Sequence, residues 1–252
     1  LQDGIWYFHI ISKDNAGNTG WEASHYRIKI DTLVEQPKIV SSTHPEESRW
    51  YSSPTVKLSW TVPQDLSKIK CFHYVFSKEK YLKIPVEAAQ KTDKREIEIN
   101  IQEEGTYYFH IIAEDNAGNI GDEPAIFAVN VDLRADPPDI SSPTHPNPER
   151  HYAEAHPVFN VDKVDDLSGV DGFYYKVDRF YDTMPDKKGG KFTRDTSIRI
   201  SEPLEDGDWY FHIVLKDKAG NIGTEAAHYK FRIETNPPEV SIKELPKFVR
   251  TE

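Results

Sequence analysis

Two pairs of histidines have the spacing of a shared metal or proton site. The pairs are His9 with His25 and His212 with His228, and each flanks a glycine on which a hairpin would turn. If the hairpins are centred on Gly17 and Gly220, the two imidazoles of a pair face each other about 5 Å apart, where they could share a metal ion or sense pH. Two ligands make an incomplete site, and stacking of the rings on a solvated sheet face is the alternative. The middle of the chain has Ile126 in place of the second histidine.

The single cysteine, Cys71, is predicted to be an ordinary strand thiol. Cys71 precedes Phe72 and His73 on a predicted strand, and adjacent strand residues point to opposite faces, so a Cys–His nucleophile pair is not expected. One cysteine also excludes a disulfide framework and a cysteine-based zinc site. The chain has no G-x-S-x-G, P-loop or dinucleotide fingerprint. We therefore expect no enzymatic activity.

Carboxylates near the predicted domain junctions raise a calcium hypothesis. They belong to Asp31, Asp132, Asp136, Glu234 and Glu239. Calcium takes six to eight oxygen ligands, and Asp132 and Asp136 are the candidates at the central junction. No dense D-x-D-x-D run is present, so solvated linker carboxylates are the alternative. Apart from a metal ion shared by a histidine pair, calcium is the only cofactor that the sequence leaves open.

Composition favours β-structure and excludes some partners. The 252 residues include 13 Tyr but 1 Met, and 17 Pro, a balance typical of half-buried strands. The net charge of −11 argues against nucleic acid or an anionic membrane, because phosphate binding needs a basic patch. No apolar run approaches the 18 residues of a membrane span, so no direct membrane insertion is expected.

The chain repeats itself with the period of a whole domain. "YFHI" begins at Tyr7, Tyr108 and Tyr210, in steps of 101 and 102 residues. "THP", "DLS" and a proline-containing junction recur in the same step. Such a period predicts a slice through a tandem array. Its parts are a truncated first repeat at 1–32 that supplies only the C-terminal strands, full repeats at 33–133 and 134–236, and the start of another at 237–252.

Within a repeat, short alternating runs separated by turn signals predict an all-β sandwich. In the last full repeat they predict strands near 139–142, 157–162, 172–178, 197–201, 208–216 and 227–234, and a polar excursion at 179–192 that forms either a loop or a short edge strand. Parity places Trp209, Phe211, Ile213 and Leu215 on the core face of their strand, with Tyr210 and His212 on the other. Short junctions such as "ADPPD" predict an elongated array.

The most conspicuous repeated stretch, "DGDWYFHIVLKDKAGNIG" (206–223), is predicted to be scaffold. A buried aspartate can accept the backbone N–H groups of a turn, and glycine and asparagine tolerate the left-handed conformation that a tight hairpin needs. The predicted structural positions are Asp14, Asp115 and Asp217, Gly17, Gly118 and Gly220, and the aromatic residues Trp6, Tyr107 and Trp209. This spacing needs no ligand.

The linked motifs "DDLSGVDGFYYKVD", "WYFH", "D-x-AGN-x-G" and "HY-x-[FI]-x-I" resemble tandem fibronectin type III and immunoglobulin-like repeats of bacterial or archaeal surface proteins. The resemblance implies a corner hydrogen bond from Tyr107, replaced by an indole N–H at Trp6 and Trp209. Lys68 stands where the last repeat has Gly169, which predicts that this loop differs between repeats.

By the same resemblance, the chain is expected to be a non-enzymatic spacer, adhesion or protein-binding module of a larger protein. It would lie at the cell surface, outside the cell or in the periplasm, with a protein or a cell-surface polymer as partner. One alternative is a carbohydrate-binding or accessory module of a surface enzyme. Another is a periplasmic sensor domain, because the last hairpin also resembles the sandwich that follows the propeller in some bacterial histidine kinases.

One face of the middle repeat is predicted to be a docking surface. Parity places Val75, Tyr108, His110, Ile112, Ile126 and Ala128 together on its outer face. The corresponding face of the last repeat keeps the cations Lys176 and Lys230. A contiguous apolar patch on a soluble surface usually marks an interface, so we expect partner binding or self-association here, unless a loop within 79–95 folds over the face.

Overall fold

The computed structural model of the protein describes residues 1–162 and 164–241, and every regular element in those residues is a β-strand. The N-terminal hairpin consists of β1 (Gly4–Ile10) and β2 (Ser24–Ile30). The middle sandwich contains β3 (Ile39–Ser41), β4 (Trp50–Tyr51), β5 (Thr55–Trp60), β6 (Ile69–Ser77), β7 (Gln90–Thr92), β8 (Glu96–Asn100), β9 (Gly105–Asp115) and β10 (Ala125–Val131). The C-terminal sandwich contains β11 (Ile140–Ser141), β12 (His151–Tyr152), β13 (Val158–Val161), β14 (Val170–Asp178), β15 (Lys191–Thr193), β16 (Ser197–Arg199), β17 (Gly207–Asp217) and β18 (Ala227–Ile233).

Both sandwiches have the same topology. In the middle sandwich a five-stranded sheet, β4-β10-β9-β6-β7, faces a three-stranded sheet, β3-β5-β8. In the C-terminal sandwich the orders are β12-β18-β17-β14-β15 and β11-β13-β16. The chain divides into two compact units, Leu1–Leu133 and Arg134–Glu252. The predicted fold class, all-β with immunoglobulin-like and fibronectin type III-like sandwiches, is confirmed.

The cores consist of the side chains that strand alternation places on the inner faces of the sheets. Phe211, Ile213 and Leu215 of β17 are fully buried, whereas Trp209 is only partly buried. Phe159 lies parallel to Phe211 with the ring centroids 4.1 Å apart, and so joins the two sheets. Each buried aromatic side chain of this kind contributes about 1.5–3 kcal/mol by leaving water.

The six strands predicted for the last repeat are all present, and two more accompany them. The two-residue strand β12 pairs in parallel with β18, and β15 forms within the predicted excursion and pairs with β14. Of the predicted fourth repeat, residues 237–241 form no strand, and residues 242–252 lie outside the described part of the chain.

The N-terminal hairpin has the predicted register but no sandwich of its own. His9 pairs with His25 across its two strands. Its apolar residues are exposed, with Trp6 at 39% and Phe8 at 53% of their full accessible surface. No described strand other than β1 and β2 belongs to this sheet.

No helix in the described part of the chain combines the length and the apolar character that crossing a membrane requires.

Candidate functional site

The repeated D-x-A-G-N motif is a turn held by its own aspartate. Asp115 Oδ1 accepts hydrogen bonds from the backbone N–H groups of Gly118 and Asn119 at 2.7 and 2.8 Å, and Asp115 Oδ2 accepts from Asn119 Nδ2. Asp217 accepts the corresponding bonds in its copy. The Asp14 carboxylate accepts those from Asn18, while the Gly17 N–H donates to the Asp14 backbone carbonyl at 3.2 Å. The central glycines have φ values of 98°, 96° and 107°, at Gly17, Gly118 and Gly220. The aspartate and glycine of the motif therefore form the turn itself.

The corner hydrogen bond is made in all three copies by the predicted residues. Tyr107 donates its hydroxyl proton to the carbonyl of Glu103 at 2.8 Å. Trp209 Nε1 donates to the carbonyl of Glu205 at 2.8 Å, and Trp6 Nε1 donates to that of Gln2 at 2.7 Å. An indole N–H thus replaces the phenol in two copies, as the resemblance implied.

The loop before β6 does not differ between the sandwiches, so that prediction is wrong. Lys68 has φ 71° and Gly169 has φ 84°, so both residues adopt the left-handed conformation. Their carbonyls accept the backbone N–H groups of Asn116 and Lys218, at 3.0 and 2.8 Å. The backbone bonds impose the conformation, and the lysine adopts it despite its Cβ.

The acidic residues near the junctions take part in turn and strand scaffolding. Carboxylate oxygens of Asp31, Asp65 and Asp115 lie within 4.8 Å of one another, but these three carboxylates already accept backbone N–H groups, for example from Ser67. Three carboxylates fall short of the six to eight oxygens of a calcium site.

The two calcium candidates at the central junction lie in different surroundings. Asp132 is buried at the end of β10, where its backbone N–H donates to the Tyr51 carbonyl at 3.0 Å. Asp136 is exposed and forms an ion pair with Arg134 at 3.6 Å. Calcium binding by these residues stays a prediction.

The histidine pairs are brought together as the sequence predicts. His212 Nδ1 and His228 Nδ1 lie 2.7 Å apart, so one ring donates a proton to the other, and His212 Nε2 lies 3.3 Å from Asp178 Oδ1. His9 and His25 make the same contact on the exposed hairpin. Burial lowers the pKa of His212, and Asp178 opposes that shift. Both ring nitrogens of His212 therefore have a protein partner, and metal binding by the histidine pairs stays a prediction.

The predicted docking face of the middle sandwich is not an exposed apolar patch. His110 and Ile112 are buried, and only Ile126, at 40%, is exposed. His110 Nε2 lies 3.1 Å from the Lys80 carbonyl, so the loop after β6 lies over this part of the face, and Ile84 of the same loop is itself buried. Val75, Tyr108 and Ala128 are half-buried. The predicted exposure is wrong, and the alternative, that a loop within 79–95 folds over the face, is confirmed.

Three potential metal-binding or reactive side chains meet at the other end of this face, in the middle sandwich. Cys71 and His73, two residues apart on β6, point to the same side and meet Glu114 of β9. Cys71 Sγ lies 3.3 Å from Glu114 Oε2, His73 Nε2 lies 2.8 Å from the same oxygen, and Sγ and Nε2 are 3.9 Å apart. The residues are buried, with 6%, 3% and 8% of their surfaces exposed. Cys71 and His73 thus share a side, because residues two apart on a strand point the same way, although the sequence led us to expect no pairing between them.

Two lysines neutralise this cluster from its solvent side. Lys70 Nζ contacts Glu114 Oε1 and Lys91 Nζ contacts Oε2 at 2.9 Å, and about half of each lysine side chain is exposed. Lys70, then Lys91 and His73, hold the pKa of Glu114 well below its usual range. Burial, and next the Glu114 carboxylate, raises the pKa of the Cys71 thiol. The cysteine is therefore a protonated thiol and a poor nucleophile at neutral pH.

The backbone brings this cluster together. The pairing of β6 with β9 shifts register between Ile69 and Cys71, which is a β-bulge at Lys70. A bulge turns two successive side chains toward the same partner, so Lys70 and Cys71 both reach Glu114. Glu114 was not predicted, because a single acidic residue on the outer face of a strand is usually a solvated charge. The available signal was that parity places His73 and Cys71 on one face.

Comparisons with known proteins find only remote likenesses. No family model and no curated protein matches the chain. Among solved structures, the chain is similar to the fibronectin(III)-like modules of Clostridium thermocellum CbhA, with 12% identity, a TM-score of 0.34, and coverage of 82% of this chain and 100% of that one. It is similar to a two-domain fibronectin type III segment of chicken tenascin, with 12% identity, a TM-score of 0.34, and coverage of 79% and 99%. It is also similar to the FN1–FN3 domains of chicken CNTN1, with 10% identity, a TM-score of 0.32, and coverage of 90% and 77%.

Proposed function

We propose that this chain is a non-catalytic module of a larger protein, a run of β-sandwich repeats that spaces or presents other parts and binds a protein or a cell-surface polymer outside the cytoplasm. The observation that carries the proposal is the use of the repeated motif. Asp14, Asp115 and Asp217 each accept the N–H groups of their own turn, so what recurs in the sequence is what the sandwich needs in order to fold. Chemistry specific to a substrate would not have to recur in every repeat.

The surface charge supports the choice of partner. A net charge of −11 repels polyanions over a Debye length of about 8 Å at physiological salt. Neutral or basic proteins and uncharged polymers remain as partners.

The module role is tested by separating stability from binding. Asp115→Asn and Asp217→Asn should each lower the melting temperature, because two turn N–H groups then face a weaker acceptor. Neither substitution should change the binding of the folded chain to immobilised surface proteins or polysaccharides. Loss of binding with an unchanged melting temperature would show the motif to be a ligand site. Turnover of any of these materials by the wild-type chain would contradict the non-catalytic role.

A second candidate function, binding of a neutral carbohydrate polymer, is favoured by the aromatic side chains of the C-terminal sandwich. Phe180 and Tyr181 of the 179–192 excursion are about 70% exposed. Phe192 of β15 is partly exposed and contacts Tyr174 with the centroids 5.2 Å apart. Exposed aromatic rings stack on apolar ligand faces at a low cost in conformational entropy.

Affinity electrophoresis in polysaccharide gels tests this second function. Retardation of the wild type that is lost in Phe180→Ala with Tyr181→Ala would support it. The matched control is Tyr81→Ala, which removes an exposed tyrosine of the middle sandwich and should not change the mobility.

A further inference from the structure

The Cys71–His73–Glu114 cluster presents three donor atoms within 4.8 Å of one another, close enough to share one metal ion after shifts of about half an ångström. Around a tetrahedral zinc ion, bond lengths of about 2.3 Å to sulfur and about 2.0–2.2 Å to nitrogen and oxygen put the ligand atoms about 3.3–3.6 Å apart. The observed separations are 3.9, 3.3 and 2.8 Å. We propose that the middle sandwich binds one divalent transition-metal ion, with zinc as the best fit, through Cys71 Sγ, His73 Nε2 and Glu114 Oε2.

The donor set selects the class of metal. Thiolate and imidazole are ligands of zinc and related ions, whereas calcium and magnesium take oxygen atoms. The inference is therefore separate from the calcium hypothesis at the junctions, and it does not depend on the proposed module role. It replaces the expectation that a single cysteine excludes zinc, because one thiolate can share the ion with an imidazole and a carboxylate.

The site is already shaped by the sheet. Cys71 and His73 belong to β6 and Glu114 belongs to the adjacent β9, and an antiparallel ladder that is unbroken from Cys71 to Ser77 holds the two strands together. The bulge at Lys70 fixes the approach of Cys71 to Glu114. Binding therefore requires little reorganisation of the backbone, which favours affinity.

In the metal-free protein the lysine ammonium groups supply the positive charge beside Glu114 that a metal ion would supply. Lys91 Nζ contacts Glu114 Oε2, the oxygen that both Cys71 and His73 also approach. Because about half of each lysine side chain is exposed, the ammonium groups can move into water when a metal ion enters. The departing lysine leaves a fourth coordination position open to water.

Charge and protons balance in this exchange. The Cys71 thiol releases its proton to solvent and becomes a thiolate. The His73 proton moves from Nε2 to Nδ1, which leaves the Nε2 lone pair for the metal. One thiolate and one carboxylate then neutralise the two positive charges of the ion, so the buried site carries no net charge.

Cobalt(II) substitution tests the proposal, because Cys71 is the only cysteine in the chain. A thiolate-to-cobalt charge-transfer band in the near ultraviolet can therefore arise only at Cys71. We expect the full chain to develop this band with one equivalent of Co²⁺, and Zn²⁺ to abolish it by displacement. Cys71→Ser should remove the band, and His73→Gln and Glu114→Gln should each weaken cobalt binding by about 10–100-fold or more.

A variant that binds cobalt more tightly than the wild type tests the site in a way that misfolding cannot mimic. Lys91→Gln removes a cation that competes for Glu114, so it should tighten cobalt binding by about two- to fivefold, the worth of a partly exposed ion pair. The control is His212→Gln with His228→Gln, which removes the adjacent histidines of the C-terminal sandwich and should leave the band unchanged. Zinc should also raise the melting temperature of the wild type and not that of Cys71→Ser.

The proposal is overturned if saturating Co²⁺ gives no charge-transfer band in the folded chain. It is also overturned if the band appears but the His73 and Glu114 variants bind cobalt as tightly as the wild type, since the thiol alone would then account for it.

Discussion

The middle and C-terminal sandwiches share one backbone but differ in chemistry at one end of the outer face. Both have a β-bulge near the start of the fourth strand, at Lys70 in β6 and at Asp171 in β14. Lys70 pairs with Glu114. In the C-terminal sandwich the signs are reversed, and Asp171 pairs with Lys216.

This reversal separates what the fold requires from what it tolerates. The turn aspartates Asp115 and Asp217 make the same bonds in both sandwiches, so the fold dictates them. The bulge accommodates an ion pair with the acidic residue on either of the two strands, so the fold does not dictate which strand carries the acid. Cys71 and His73 correspond to Gly172 and Tyr174. Only the middle sandwich therefore holds a set of metal ligands at this place, and the C-terminal sandwich is its internal control.

The largest effect should come from the parts that the two sandwiches share. Phe109→Ala and Phe211→Ala each remove a fully buried ring at the centre of a core, and each should lower the free energy of unfolding by about 3–5 kcal/mol. Chemical denaturation, with hydrogen exchange to assign the transition to a sandwich, measures the loss. A cost under about 1 kcal/mol in either variant would mean that the cores are not equivalent.

A smaller but asymmetric effect is expected at Gly172. A Cβ atom there would lie 2.5 Å from Phe192 Cζ and 2.6 Å from the Thr193 carbonyl oxygen. The ring can move and the backbone oxygen cannot, so Gly172→Ala should cost about 1–3 kcal/mol. Gly189→Ala is the control, because its Cβ would meet only Asp186 Oδ1, at 3.6 Å, and it should change the stability by under about 0.5 kcal/mol. Equal costs for the two variants would show that Phe192 and β15 do not close over this position.

The strands and the core could be read from the sequence, and the covering of the outer face could not. Alternation in "WYFHIVL" gives the faces because side chains in a strand alternate strictly. The same rule misjudged Ile112 and His110, since their burial depends on where the loop containing Lys80 folds back, which no local periodicity records. The strand β12 was missed because two residues carry no period.

The candidate site shows the same limit. Cys71 and Glu114 are 43 residues apart in sequence, and they meet because of the strand order and the bulge. The corner bonds of Tyr107 and Trp209 could be anticipated because they connect residues only four apart.

Mild acid should destabilise both sandwiches in parallel, because each buries the histidine of its "THP" motif. Burial lowers the pKa of His44 and of His145, although Glu154 opposes the shift at His145. The threonine hydroxyl lies 2.8–2.9 Å from Nδ1 of each ring. Between an unfolded-state pKa of about 6.5 and the lower folded-state value, the unfolded chain binds more protons. The contribution is therefore fully present above about pH 6.5 and declines as the pH falls toward the folded-state pKa.

Melting temperatures between pH 7.5 and 5 measure this effect. His44→Gln with His145→Gln should flatten the slope. The slope is not expected to vanish, because burial also lowers the pKa of His212. The depressed pKa values of Asp115 and Asp171 act only at lower pH, below the ordinary carboxylate value. A stability that is constant, or that rises on acidification, would contradict the buried neutral histidines.

The smallest predicted effect is at the loop that precedes β6 and β14. This loop has the same conformation in both sandwiches but carries Lys68 in one and Gly169 in the other. Lys68 is exposed and adopts φ 71°, where Gly169 adopts φ 84°. An L-residue in this region costs about 1–2 kcal/mol, and the greater freedom of glycine in the unfolded chain offsets about 0.5–1 kcal/mol of that. Lys68→Gly should therefore stabilise the middle sandwich by up to about 1 kcal/mol, and Gly169→Lys should destabilise the C-terminal sandwich by a similar amount. Lys68→Ala keeps the Cβ and should give no gain, which separates backbone strain from the loss of the charge. If Lys68→Gly is less stable than the wild type while Lys68→Ala is neutral, the lysine does not strain the backbone of this loop.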